Sequence, residues 1–154
     1  MGSNFRKSSY ISSIFKIFLL ALYLTLLSWR MFFYAYSNFY RVPGRAYQYN
    51  LVPLKTIYSL IVSYSRYGFT VWAYNLFGNI AVFMPLGFLL AALQKKKSSL
   101  VAVLICSFFI ILFAESMQLI MKVGVFDIDD IILNLIGCLV GCRAYRILAK
   151  HKPW

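Results

Sequence analysis

Seven side chains in this 154-residue sequence combine polar chemistry with helical spacing: Asn75 and Asn79, then Glu115 and Gln118, then Asp127, Asp130 and Asn134. Steps of three or four residues put each set on one face of a helix. All sit within or at the ends of apolar runs, where an amide or carboxylate without a partner is costly. Two readings compete for them. Asn and Gln can hydrogen-bond between helices, at roughly 0.6–2 kcal/mol each, and so act as glue. A carboxylate such as Glu115 fits that role less well, because in an apolar run it marks a water-filled cavity or a functional site. It needs either a proton or a cation. Arg30 is the preferred cation, since a guanidinium can hold a carboxylate through two parallel hydrogen bonds.

The elements that must carry these residues are set by composition. The chain is 62% hydrophobic, 19% aromatic and 13% charged, whereas soluble domains run about 45–50% apolar and about 25% charged. A chain this short cannot hide so much apolar area in one aqueous core, so the expected fold is an all-α integral membrane bundle. Four runs reach the roughly 20 residues that cross the hydrocarbon: about 15–33, 72–93, 99–120 and 128–148. The link between the last two is short, which makes them antiparallel neighbours. From Pro53 to Arg66, Leu54, Ile57, Tyr58 and Ile61 form an apolar stripe. This predicts a helix at about 53–66, too short to span and suited to the membrane interface. Residues 1–154 are read as one membrane domain. Arg6 and Lys7 precede the first run with no small-x-small cleavage site, so that run is read as a retained anchor helix.

The charge pattern orients the bundle. In a four-span arrangement Arg6, Lys7, Lys16, Lys95, Lys96, Lys97, Arg143, Arg146, Lys150 and Lys152 fall on one side, with no acid. The other side holds Arg30, Arg41, Arg45, Lys55, Arg66 and Lys122 with all four acids. Both termini are therefore expected in the cytoplasm. The net charge of +12 belongs to this asymmetry, and nucleic acid is not a partner on this reading. Depth then joins the three polar faces. At 1.5 Å per residue, Asn75 and Asn79, Glu115, and Asp130 and Asn134 all lie within roughly 10 Å of the outer boundary. They are expected to line one outer cavity with Gln118 and Asp127, closed by Arg30.

Gly137 and Gly141 continue the fourth-span face as a close-packing step, and Pro85 should kink the second span. Cys106, Cys138 and Cys142 lie inside apolar runs without a CxxC, and are read as small lipid- or helix-facing residues.

The ordered motifs Asn50-Leu51-Val52-Pro53, Asn75-Leu76-Phe77-Gly78-Asn79, Phe83-Met84-Pro85-Leu86-Gly87-Phe88, Glu115-x-x-Gln118, Asp127-Ile128-Asp129-Asp130 and Asn134-x-x-Gly137-x-x-x-Gly141 resemble the VanZ-like family of small bacterial membrane proteins. The likeness covers roughly residues 45–145. It implies a protein of the bacterial cell envelope, in the cytoplasmic membrane, with a bearing on resistance to teicoplanin-type glycopeptide antibiotics. The chain departs from the family near Gly124, where relatives often carry an Arg before the acidic motif; Lys122 would have to stand in.

Three functional classes follow. In the first, the protein binds or rearranges a lipid-linked envelope precursor at the outer leaflet, with Arg30, Arg41, Arg45, Lys55 and Lys122 as anion-binding candidates. In the second it is a metal-dependent enzyme on a lipid phosphate or pyrophosphate, with Glu115, Asp127 and Asp130 holding Mg²⁺. The sequence offers no His or activated nucleophile beside these carboxylates and no metal-cage spacing, so no cofactor and no resident metal is expected. In the third it transports a lipid-linked substrate, for which four helices are few and no internal repeat supports alternating access.

Overall fold

The computed structural model describes residues 2–34, 46–62, 64–94 and 99–150. Helix α1 (Gly2–Ser28) passes into a single π-helical segment, Trp29–Tyr34. A short strand β1 (Tyr49–Asn50) leads to helix α2 (Lys55–Val62), and α3 (Tyr64–Gln94) is the longest element. Helix α4 (Leu100–Ile120), strand β2 (Phe126–Asp127) and helix α5 (Ile128–Lys150) complete the described chain. Four of these helices are long and apolar enough to cross a membrane, over Ile11–Phe33, Asn75–Gln94, Leu100–Ile120 and Ile128–Lys150. The protein is a four-span helical membrane bundle. Its outward faces carry exposed Phe15, Phe18, Ile105, Phe109 and Phe113, the surface a helix presents to lipid rather than water.

The core is a seam between α3 and α5, which share the most extensive contact between any two elements. Lipid gives apolar side chains no reason to leave it, so helix association relies on close backbone approach through small residues. That is what the glycines provide. A Cβ on Gly137 would stand 2.3 Å from the Ile80 carbonyl oxygen, and one on Gly141 would stand 1.9 Å from that of Met84. In return Gly87 of α3 lies against the backbone of Cys138. Cys138 and Cys142 are buried in this seam, while Cys106 is exposed on α4. Helix α1 runs antiparallel along α3: the Lys16 ammonium donates to the Ala92 carbonyl (3.2 Å) and the Tyr23 hydroxyl to that of Val82 (2.8 Å). Lys16 thus sits by the C-terminal end of α3, where the helix dipole favours a cation.

Pro85 lies inside α3, which remains one helix through it. Nearby carbonyls receive donors from other helices, Val82 from Tyr23 and Phe83 from the Cys138 thiol (3.5 Å). Such help from neighbours is how a membrane helix tolerates proline.

The expected interfacial helix is shorter than predicted. It covers Lys55–Val62, and residues 64–66 already belong to α3. Pro53 lies in the preceding turn, where Leu54 takes a left-handed conformation, φ 65°. Helix α4 ends in a Schellman motif: the Val123 N–H donates to Gln118 O and the Lys122 N–H to Leu119 O, both at 3.0 Å. Lys122 occupies the left-handed position, φ 55°, which glycine usually takes.

Candidate functional site

Two polar clusters lie near the end of the bundle where α5 begins, whereas spacing and depth alone place their residues in one cavity. The first is a clasp that holds the loop between the first two spans. Strands β1 and β2 pair in parallel, Tyr49 with Phe126 and Asn50 with Asp127. The Asp127 carboxylate is then filled from three directions. It accepts the Thr56 hydroxyl (2.5 Å), the Asn50 amide (3.2 Å) and the Asp129 backbone N–H (2.9 Å). Asp129, fully buried, accepts the backbone N–H groups of Leu54 (2.5 Å), Thr56 (2.7 Å) and Ile57 (3.1 Å). Thr56 and Ile57 lie in the first turn of α2 and Leu54 immediately precedes it, so these N–H groups have no partner within the helix. Asp129 therefore caps α2 from another segment of the chain. The left-handed Leu54 helps aim its N–H there, as in other backbone cradles that bind anions.

The second cluster is a cavity of about 200 Å³ to which all four spans contribute. Its polar lining is Arg30 from the π-helical segment, Asn79 from α3, Glu115 and Gln118 from α4, and Asp130 and Asn134 from α5; Met31, Gly78, Val82 and Phe83 complete it. The Asn79 amide donates to Asp130 Oδ1 at 2.6 Å, joining α3 to α5. The Gln118 amide donates to the Met31 carbonyl at 3.3 Å, joining α4 to the π-helical segment. Glu115 and Asn134 are each 2% exposed. Glu115 Oε2 and Asn134 Oδ1 are buried and have no hydrogen-bond partner. A two-bond guanidinium clamp from Arg30 on Glu115 is thus not formed, although Arg30 lines the same space.

The expected site residues divide accordingly. Asn79, Glu115, Gln118, Asp130, Asn134 and Arg30 meet in the cavity. Asp127 belongs to the clasp instead. The three- and four-residue steps linking it to Asp130 and Asn134 hold only within a helix, and α5 starts at Ile128. Asn75 is exposed on α3 and outside the cavity lining. Lys55 is exposed at the start of α2. Lys122 is exposed and stacks its ammonium 4.6 Å from the centre of the Tyr47 ring, so it does not stand in for a cation beside the acidic motif. Arg41 and Arg45 lie outside the described residues. The carboxylates expected to share a metal, Glu115, Asp127 and Asp130, do not form one ligand set. Among the described residues no three His, Cys, Asp or Glu side chains converge as a metal site.

Sequence reasoning missed Asp129 and Thr56. Their signal was available only in part. Asp129 is the acidic-motif residue left over once helical spacing has grouped its neighbours, and Asn50-Leu51-Val52-Pro53 marks the loop that it holds.

A family model described as VanZ/LLP1 matches residues 16–149. Protein VanZ of Enterococcus faecium is 29% identical over 138 residues, covering 86% of this chain and 74% of its own length. No solved structure matches the chain.

Proposed function

The chain belongs to the VanZ/LLP1 family, and from that premise we propose that it acts in the bacterial cytoplasmic membrane by binding a lipid-linked envelope molecule at the outer leaflet. Both termini face the cytoplasm in this reading, and the clasped loop and the cavity lie at the outer face. The observation that carries it is the cavity. Four helices converge Arg30, Asn79, Glu115, Gln118, Asp130 and Asn134 on about 200 Å³, more polar investment than helix glue needs. That space is below the roughly 300–1,000 Å³ of sites that enclose drug-sized molecules. A whole glycopeptide does not fit, whereas one group of a larger envelope molecule does.

Teicoplanin carries an acyl chain and binds the peptide ends of lipid-linked precursors. A protein that holds or rearranges those precursors lowers its effect without touching the drug. Lys55, and by sequence position Arg41 and Arg45, then stand at the outer surface, where cations meet lipid phosphates. The test is genetic. A strain lacking the gene is restored with the wild type or with Asn79→Ala, Glu115→Ala or Asp130→Ala, and susceptibility to teicoplanin is compared with that to vancomycin. The expected result is that the wild type restores tolerance, most strongly to teicoplanin, and the three variants do not despite normal membrane levels. Full restoration by all three would refute a role for the cavity.

A further inference from the structure

The Arg30 guanidinium lines the cavity as a donor and a cation, yet the buried polar atoms of the cavity that lack a partner are acceptors alone. Two of its donor side chains are engaged with protein acceptors, the Asn79 amide with Asp130 and the Gln118 amide with Met31. Its two buried, unpartnered polar atoms are both acceptors, Glu115 Oε2 and Asn134 Oδ1, on side chains 2% exposed. The Asp130 carboxylate borders the same space. Buried oxygens without donors are rare in folded proteins, and each calls for an explanation such as a bound group. What would satisfy them is a ligand rich in N–H and carrying positive charge.

We propose that the cavity takes a primary ammonium group, held by Glu115, Asn134 and Asp130. This rests on the reading that the cavity binds an envelope molecule, and it names the part of that molecule that enters. An ammonium has three donors and no acceptor, matching three oxygen-bearing side chains whose shared space is small. A trimethylated ammonium has the same charge and no N–H, so it leaves the acceptors unfilled. A divalent cation is disfavoured because the described residues offer no three-ligand cluster.

An amine-bearing lipid and a soluble amine share this chemistry, and the test separates them. The purified protein is placed in nanodiscs of phosphatidylglycerol doped with either phosphatidylethanolamine or phosphatidylcholine, and bound lipid is counted by native mass spectrometry. The expected result is at least roughly tenfold preference for phosphatidylethanolamine, which corresponds to about 1.4 kcal/mol. Glu115→Gln and, separately, Asp130→Asn should abolish the preference. Two variants are used so that failure of one to fold still leaves a result. Competition by soluble ethanolamine at equal concentration would assign the ammonium to a soluble molecule; no competition would assign it to a lipid. Equal binding of the two lipids together with no response to ethanolamine overturns the proposal. So does a thermal shift with Mg²⁺ or Na⁺ and none with amines. Loss of drug tolerance in cavity variants without any amine preference would leave the envelope-binding role standing and remove the ammonium alone.

Discussion

Replacing Asp129 by Asn should release the loop that precedes α2 while leaving the spans in place. Its carboxylate accepts three backbone N–H groups, from Leu54, Thr56 and Ile57, at 2.5–3.1 Å. Hydrogen bonds to a charged group contribute about 1.5–3 kcal/mol each. Asparagine keeps one oxygen and turns an NH₂ toward N–H groups that also donate, so at least one buried donor is orphaned and the surviving bonds lose charge assistance. The combined cost is about 3 kcal/mol, which raises the open population of the loop roughly 150-fold. Trypsin reports this directly, because the bond after exposed Lys55 joins it to Thr56, whose N–H is one of the three. When opening is fast relative to cutting, cleavage tracks that population. Cleavage at Lys55 in detergent-solubilised protein should accelerate by about two orders of magnitude. Asp127→Asn is the matched control. Its oxygen can keep the Asn50 and Asp129 donors, and only the Thr56 hydroxyl, which already accepts from the Asn50 amide, loses its acceptor, so the loss is about 1–2 kcal/mol. A rate for Asp129→Asn within twofold of wild type, or below that of Asp127→Asn, would refute the capping argument.

Gly137→Leu and Gly141→Leu should each lower the yield of folded protein, at a cost of at least about 1–3 kcal/mol from overpacking; Ile136→Leu on the exposed face of α5 should not, and equal monodisperse yields in detergent chromatography would count against the α3–α5 seam. Cys138→Leu belongs with the damaging set, since Cys138 is buried. Lys122→Gly should raise the unfolding midpoint by the equivalent of roughly 0.5–1 kcal/mol, because it relieves a left-handed residue and gives up one exposed cation–π contact; a lower midpoint would mean that the Tyr47 contact outweighs the backbone strain. Reporter fusions after Trp154 and within Lys95–Lys97 should read cytoplasmic and one after Val123 external, and an external reading at the lysine run would overturn the orientation.

The spans were legible because hydropathy falls sharply at their ends. Ser99 caps α4, and α5 starts at Ile128, at or within a residue of the expected limits. The start of α3 was not, since Tyr64–Val71 mixes polar and aromatic residues and a hydropathy window reports the hydrocarbon-crossing stretch rather than the whole helix. The meeting of Asn79, Glu115, Asp130 and Asn134 followed from depth and face, two quantities that helical geometry carries in the sequence. The clasp could not be found that way. Asp129 and the α2 N-terminus are brought together by the tertiary fold, and no local period records a contact across more than 70 residues. A two-bond clamp of Arg30 on Glu115 was expected because charge pairing is the simplest fate of a buried carboxylate; Glu115 Oε2 has no hydrogen-bond partner, so the two carboxylate oxygens are not held together in that way.

The distance along the chain that the clasp bridges also orders events in time. Asn50, Leu54, Thr56 and Ile57 leave the ribosome early, while Asp127 and Asp129 follow 71 to 77 positions later. Until that late stretch is made, α2 has no cap, and the carbonyls of Ile80 and Met84 lack the glycines that pack on them. A chain that ends before α5 therefore lacks both the carboxylate that caps α2 and the glycines that match the α3 face. Closure of the loop therefore waits until synthesis has passed the acidic motif.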